Sequence, residues 1–168
     1  MNTSKNFKGN IVTGVIGEDV HIVGIRIIEH ALNDSGFNVH SLGGQVSQEE
    51  FINAALETNA DAILISSFSG HAEILVRSFR EKCDEAGLDN IILYIGGSLL
   101  LSDEKWEQVE EKFKKLGFDR VYPPGTSPTK AIKDLENDIS IRTISKSWQC
   151  TVWETNNPFG MHEWRCYA

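Results

Sequence analysis

The sequence predicts an α/β fold built on a doubly wound, five-stranded parallel sheet. Two observations lead to this prediction. Short runs of aliphatic residues recur along the chain, and each is followed by a stretch whose apolar residues have helical spacing. Five such alternations of strand and helix are typical of parallel strands joined by right-handed crossovers. The 168 residues are 40% hydrophobic, which is enough for the core of one domain of ordinary size.

The predicted strands are short, rich in β-branched residues and bounded by glycine or polar turn residues. They cover residues 11–16, 37–42, 62–66, 91–95 and 118–122. The third is a continuous apolar run, Ala62-Ile63-Leu64-Ile65, as expected for a strand with helices on both faces of its sheet.

Each predicted strand is followed by a predicted helix, and several of these helices stop at a glycine. The first covers residues 21–35, and the second is opened by a capping box at Ser47 and Glu50. The third covers residues 71–86, and the fourth runs from near Ser102 or Asp103 to Gly117. The last begins at Ser127-Pro128, where a cap precedes a proline, and continues through Leu135.

The C-terminal part of the chain breaks this alternation. We therefore divide the chain into a domain of residues 1–137 and a tail of residues 138–168. The tail holds three of the four tryptophans, and Asn156-Asn157-Pro158 marks a turn. Polar and apolar residues alternate over residues 140–151, which favours an edge hairpin or a docked arm.

Charge and composition limit the partners and the location of the protein. Sixteen lysines and arginines against 24 acidic residues give a net charge of −8, which disfavours the phosphate backbone of nucleic acids. The apolar runs are too short to span a membrane, and the N-terminus lacks a secretory signal. We therefore expect a cytoplasmic protein with free thiols at Cys83, Cys150 and Cys166; a zinc site formed by Cys150, His162 and Cys166 is disfavoured.

In a doubly wound sheet, ligands bind at the carboxyl ends of the strands beside the switch point. The loops at that position cover residues 17–24, 66–70 and 96–102, and all three are rich in small residues. They suggest a slot between helix and sheet for a long, flat ligand. We expect a bulky residue at Gly97 or Ser67 to fill this slot while the fold stays near native.

The first of these loops contains Asp19 and His21. A histidine in this position is often an ordinary surface residue, with the aspartate capping the helix. Alternatively, Asp19 accepts a hydrogen bond from the imidazole, which fixes its tautomer and raises its basicity as a metal ligand. Gly24 leaves space for a bulky group to approach the helix.

Taken together, the three loops resemble the signature of cobalamin-binding domains. Asp19-x-His21-x-x-Gly24, Ser66-x-Phe68 and Gly96-Gly97 have spacings similar to the Asp-x-His-x-x-Gly, Ser-x-Leu and Gly-Gly motifs of that family. Within the family, residues 8–137 look most like the small (sigma) subunits of glutamate mutase, also called methylaspartate mutase. Phe68 replaces the usual leucine, and the tail lies outside the family pattern.

This resemblance implies a flavodoxin-like (Rossmann-like) cobalamin-binding fold with adenosylcobalamin as the cofactor. His21 would be the lower axial ligand of cobalt in place of dimethylbenzimidazole, with Asp19 orienting its ring. The displaced nucleotide tail would lie beside residues 66–68 and reach toward residues 96–102. The implied cofactor-binding residues are Glu18, Asp19, Val20, His21, Ile22, Gly24, Ser66, Ser67, Phe68, Gly96, Gly97, Ser98, Leu99, Leu100, Leu101 and Ser102.

The resemblance also implies an isomerase of glutamate fermentation that rearranges L-glutamate to (2S,3S)-3-methylaspartate by a radical mechanism. The arginines are scattered, so we expect no dicarboxylate site and no catalytic residue on this chain. The family places the substrate in a large (epsilon) barrel subunit, in a heterotetramer of two small and two large chains. The apolar loop of residues 98–101 would be exposed in a lone chain, so we expect the chain to be inactive without its partner.

Other readings of the same features remain open. The chain could be the corrinoid-binding subunit of another mutase, a cobalamin-dependent regulator, or a corrinoid carrier, although such carriers usually have a helical bundle before this domain. A receiver-like domain would have an aspartate where Ser66-Ser67 stand. A flavodoxin would have a hydroxyl-rich phosphate loop where Glu18-Asp19 stand.

Overall fold

The sheet has five strands, and every neighbouring pair is parallel. The structure is a computed structural model that describes residues 7–99 and 105–155, with side chains as far as residue 144. The strands are β1 (Asn10–Val15), β2 (Asn38–Ser41), β3 (Ala62–Ser67), β4 (Ile92–Gly97) and β5 (Arg120–Tyr122). Their order is β2-β1-β3-β4-β5, so the winding reverses between β1 and β3. The predicted doubly wound α/β fold is confirmed.

Helices cover both faces of this sheet. The helices are α1 (Val23–Asp34), α2 (Gln48–Thr58), α3 (Ala72–Leu75), α4 (Phe79–Glu85), α5 (Trp106–Lys115) and α6 (Pro128–Thr155). Ile63 and Leu64 are neighbours in β3, yet Ile63 packs in a core with residues of α2, α4 and α5, and Leu64 packs with residues of α1 and α6. Burial on both faces explains why the strands are continuous apolar runs.

The starts of α1 and α2 differ in how well the sequence predicted them. The capping box of α2 is confirmed, because Ser47 Oγ accepts from Glu50 N at 3.2 Å and Ser47 N donates to Glu50 Oε2 at 2.8 Å. Helix α1 begins at Val23 rather than at His21, with Ile22 at its N-cap. His21 therefore belongs to the preceding loop and not to the first helical turn.

The helix predicted over residues 71–86 is interrupted. Ser78 adopts a left-handed conformation with φ of 59°, which separates α3 from α4. Gln48 of α2 compensates for the interruption, because its side-chain amide donates to the carbonyl oxygens of Leu75 and Arg77 at 2.6 and 3.1 Å. The sequence of residues 71–86 gives no sign of this break, because the contacts that stabilise it come from another helix.

An edge hairpin or a docked arm was expected over residues 140–151, and the hairpin is wrong, because α6 continues through these residues. Side chains of the sheet and its loops hold this helix: Arg120 binds Asp138, and Arg142 binds Asp119. Ser140 and Thr143 donate to carbonyl oxygens four residues earlier, so their hydroxyls are compatible with a helix. Across the described residues, none of the helices is long and apolar enough to cross a membrane.

Candidate functional site

The loops after β1, β3 and β4 meet at the carboxyl end of the sheet, beside the switch point. The backbone N–H of Ile16 donates to the carbonyl of Ser66 at 3.1 Å, which joins the first two loops at their base. Gly17 turns the chain away with φ of 77°, and a Cβ at this position would lie 2.5 Å from Leu75 Cδ1. Only glycine fits this turn, which sets the path of the loop carrying Asp19 and His21.

Asp19 links two of these loops through a carboxylate that is only 5% exposed. Its Oδ1 accepts from the backbone N–H of His21 at 2.9 Å and lies 2.7 Å from His21 Nδ1. Its Oδ2 accepts from the backbone N–H of Phe68 at 2.5 Å. Burial acts to raise the pKa of Asp19, but the hydrogen bonds from the two backbone amides and the His21 ring outweigh it, so the pKa lies below its ordinary value of 3.8.

His21 presents its imidazole at the surface, with 65% of the side chain exposed. The Asp19 carboxylate faces Nδ1, so Nε2 is the ring nitrogen that remains to bind a ligand. The ring of Phe68 lies against it with centroids 4.7 Å apart. The predicted contact between Asp19 and His21 is therefore present, and Phe68 contributes to the same site through both its backbone and its ring.

Apolar side chains surround this histidine without being buried. Val20, Ile22, Val23 and Phe68 are all exposed. Exposed aliphatic and aromatic groups clustered around a polar residue are typical of a surface that meets a ligand or another protein.

A cleft of about 360 Å³ opens between α1 and the start of α6, above the ends of β3 and β4. Its lining includes the predicted residues Gly24, Ser66, Gly96 and Gly97. A Cβ at Gly24 would have no atom within 4 Å, so this glycine borders open space, as predicted.

Sequence reasoning missed one wall of the cleft and its floor. The rim between β5 and α6 is formed by Pro123, Pro124, Gly125, Thr126, Ser127 and Pro128, and the floor includes the rings of Tyr94 and Tyr122. A signal was available, because these turn residues follow the fifth strand and so must lie at the carboxyl end of the sheet. Tyr94 and Tyr122 gave no such signal, because a tyrosine within an apolar strand is an ordinary strand residue.

The small residues at positions 67 and 97 are required by packing, although Gly97 also lines the cleft. Ser67 is 1% exposed, and a Cβ on Gly97 would lie 2.1 Å from the Ser67 carbonyl oxygen. Gly97 also has φ of 114°, which favours glycine. The expectation that bulky residues at Gly97 or Ser67 leave the fold near native is therefore wrong.

The remaining predicted residues divide into three groups. Glu18 is exposed and Ser98 is half-buried, and both belong to the loops at this end of the sheet. Leu99 is 3% exposed and packs in the core on the α2, α4 and α5 side, away from the cleft, so its predicted exposure is wrong. Leu100, Leu101 and Ser102 lie outside the described residues, as do the proposed starts of α5 at Ser102 and Asp103.

Within the described part of the chain, no three His, Cys, Asp or Glu side chains converge as they would at a metal site made by protein ligands alone. A metal bound through His21 would need its other ligands from elsewhere. A corrin ring supplies four equatorial nitrogens, so one imidazole is sufficient for the cobalt of a corrinoid.

Comparisons with known proteins agree with this geometry. A family model described as the B12 binding domain matches residues 9–133. The chain is 55% identical over 132 residues to the glutamate mutase sigma subunit of Carboxydothermus hydrogenoformans, covering 79% of this chain and 96% of that protein. It is 51% identical over 135 residues to the glutamate mutase sigma subunit of Clostridium tetani, covering 80% of this chain and 98% of that protein.

Solved structures share the fold at lower identity. A cobalamin-binding protein from Desulfitobacterium hafniense superimposes with a TM-score of 0.63 at 22% identity, over 77% of this chain and 58% of that chain. The monomethylamine corrinoid protein of Methanosarcina barkeri gives a TM-score of 0.63 at 20% identity, over 80% of this chain and 60% of that chain. The domain match and the half-identical relatives together establish that the chain belongs to the B12-binding family and, within it, to the glutamate mutase sigma subunits.

Proposed function

We propose that this chain is the cobalamin-binding subunit of a two-component glutamate mutase, an isomerase that interconverts L-glutamate and (2S,3S)-3-methylaspartate. Membership of the sigma-subunit family supports the cobalamin-binding role and the existence of a partner subunit. The adenosyl form of the cofactor and the identity and number of partner chains are further parts of this proposal.

One observation carries the assignment of the site, the arrangement of His21 on Asp19. With Nδ1 donating to the buried carboxylate, the lone pair of Nε2 is free to point outward from an exposed ring. A neutral imidazole nitrogen is a suitable axial donor for cobalt. Asp19 holds the proton at Nδ1, orients the ring and increases its donor strength.

The space beside His21 also fits the cofactor. The cleft begins at Gly24, three residues further along the chain, and it is lined mainly by apolar side chains. If His21 binds the cobalt, the nucleotide tail of the corrinoid would need a site of its own, and a cleft of about 360 Å³ can take a flat heterocycle. The exposed Val20, Ile22 and Phe68 would lie under the corrin ring.

Adenosylcobalamin, when bound, supplies the radical by homolysis of its cobalt–carbon bond. The residues of this chain around His21 would hold one face of the corrin and shield it from water. Of the five arginines in the described residues, Arg26, Arg80, Arg120 and Arg142 bind groups of the domain itself, and Arg77 is exposed. None of them lines the cleft, so recognition of the dicarboxylate substrate is assigned to a large barrel subunit, in a heterotetramer of two small and two large chains.

The experiment examines nitrogen coupling to cobalt. Cobalamin in its paramagnetic Co(II) form is bound to the complex of this chain with its large partner, and electron paramagnetic resonance spectra are recorded with ¹⁴N- or ¹⁵N-histidine in this chain. We expect the isotope to change the coupling pattern and His21→Gly to abolish that coupling. Asp19→Asn should keep the coupling but weaken binding by about 10- to 100-fold.

His71→Gly is a matched control, because His71 is exposed and lies at the same end of the sheet, beside α3. This variant should keep the isotope-dependent coupling. A coupling that persists in His21→Gly, or one that disappears in His71→Gly, would overturn the assignment of His21.

A further inference from the structure

Helix α6 carries two carboxylates behind the cleft that the proposed function has not used. Asp138 accepts from Arg120 Nε and Nη2 at 2.8 and 2.9 Å and from the Tyr94 hydroxyl at 2.7 Å. Asp134 accepts from the Tyr122 hydroxyl at 3.0 Å and lies 3.6 Å from Arg120 Nη1. Arg120 thus lies between the two carboxylates, and each carboxylate binds one tyrosine.

The protonation of this cluster is fixed at neutral pH. The hydrogen bonds from Arg120 lower the pKa of Asp138, and burial together with the hydrogen bond to Asp138 raises the pKa of Tyr94. Burial also raises the pKa of Tyr122. The tyrosines therefore remain donors and Asp138 remains an acceptor, and charge-assisted bonds of this kind are among the stronger ones in proteins.

Of this cluster, the two tyrosines line the cleft, whereas Arg120, Asp134 and Asp138 lie behind it. The rings of Tyr94 and Tyr122 meet edge to face, with centroids 5.5 Å apart. Ala131, on the first turns of α6, lines the facing wall. Positions 131, 134 and 138 share one face of the helix, so the contacts of Asp134 and Asp138 also fix where Ala131 lies.

We propose that Asp138 is a positioning residue for cobalamin: through Tyr94 and Arg120 it sets the width of the cleft that receives the nucleotide tail. This inference rests on the proposed function. It extends the binding site beyond the cobalamin-domain match, which ends at residue 133. Asp138 is not among the residues that line the cleft, so it would act through the hydroxyl of Tyr94 and through Arg120 rather than by touching the cofactor.

The test compares two corrinoids that differ only in the tail. The full chain, in complex with its large partner, is titrated with cobalamin and with cobinamide, which has the corrin ring but lacks the nucleotide. We expect Asp138→Asn to raise the Kd for cobalamin by about tenfold, from the loss of a charge-assisted contact. The Kd for cobinamide should change by less than about twofold, because the cleft plays no part in its binding.

Asp119→Asn is the matched control. Asp119 also accepts from arginines, Arg80 and Arg142, but it lies at the opposite end of β5, away from the cleft. Urea unfolding should show a similar decrease in the free energy of unfolding for both variants, whereas only Asp138→Asn should change cobalamin affinity. Tyr94→Phe keeps the ring and removes the hydroxyl, so we expect a smaller effect that is not additive with Asp138→Asn.

The two hypotheses fail differently. A wild-type complex that binds neither corrinoid contradicts the proposed function. A wild-type complex that binds cobalamin, with Asp138→Asn unchanged or with equal losses for cobalamin and cobinamide, contradicts only the positioning role. If cobinamide binds too weakly to measure, the two variants are compared with cobalamin alone. Equal Kd values for Asp138→Asn and Asp119→Asn would then contradict the positioning role.

Discussion

Asp19 shows how one residue prepares the site before a cofactor arrives. Its carboxylate accepts from His21 at two positions and from the backbone of Phe68. The contact with His21 was predictable, because the two partners are only two positions apart in the sequence. The contact with Phe68 was not, since the two residues are 49 positions apart and only the pairing of β1 with β3 brings them together.

Gly24 provides the residue-scale prediction for the cleft. A Cβ there meets nothing within 4 Å, so Gly24→Leu can be accommodated by the fold, unlike a side chain at Gly97. Leucine should fill the mouth of the cleft and weaken cobalamin binding by tenfold or more. The free energy of unfolding should change by less than about 1 kcal/mol, because leucine favours the helix that Gly24 lies in.

Titration of Gly24→Ala, Gly24→Leu and wild type with cobalamin checks this prediction, with thermal unfolding of each free chain as the control. Affinity should fall as the side chain grows. Wild-type affinity in Gly24→Leu would mean that the nucleotide tail does not use this cleft.

At the scale of elements, Asp19 connects the loop before α1 to the loop before α3, and this connection depends on pH. The folded pKa of Asp19 lies below its ordinary value of 3.8, so the ionised form stabilises the folded state. Its contribution is complete above pH 3.8 and is lost as pH falls through the lowered pKa. In Asp19→Asn this titration is removed.

We therefore expect wild type to be more stable than Asp19→Asn by about 1 kcal/mol at pH 6, with the difference shrinking as pH falls below 3.8. Urea unfolding of the free chain, followed by circular dichroism across this pH range, measures it. A difference that stays constant down to pH 2.5 would show that the carboxylate does not stabilise the two loops.

Elements whose signals are local were predicted well. The five strands follow from apolar runs, and the start of α2 follows from Ser47 and Glu50. Elements that depend on contacts between residues distant in the sequence were predicted poorly. The break at Ser78 depends on Gln48, and the continuation of α6 depends on Arg120 and Asp119, whose partners are far away in the sequence. The tyrosine floor of the cleft was missed for the same reason.

At the scale of the whole molecule, exposed apolar residues surround the proposed cobalt ligand His21. If a corrin binds there, Val20, Ile22 and Phe68 would cover only one of its faces. A radical reaction needs both faces shielded from water. We therefore expect the isolated chain to bind adenosylcobalamin weakly and to lack mutase activity.

Titration with adenosylcobalamin, with and without the large subunit, checks this expectation. The Kd should fall by at least tenfold when the large subunit is present, and methylaspartate should form from glutamate only in the mixture. Turnover by the purified chain alone would contradict the two-component assignment. A His21→Gly chain in the same mixture controls for activity of the large subunit.

The course of α6 has a practical consequence. The helix starts at the rim of the cleft with Pro128, and by Arg142 it has reached the far end of the sheet, where it binds Asp119 and the carbonyl of Asn90. The remaining described turns, from Arg142 to Thr155, extend the helix by a further ~20 Å. Affinity tags, surface tethers or reporter proteins fused after Thr155 are therefore delivered to the end remote from the cofactor. A chain immobilised there should leave the end of the sheet that carries His21 open to solution, where a corrinoid or a partner subunit could reach it.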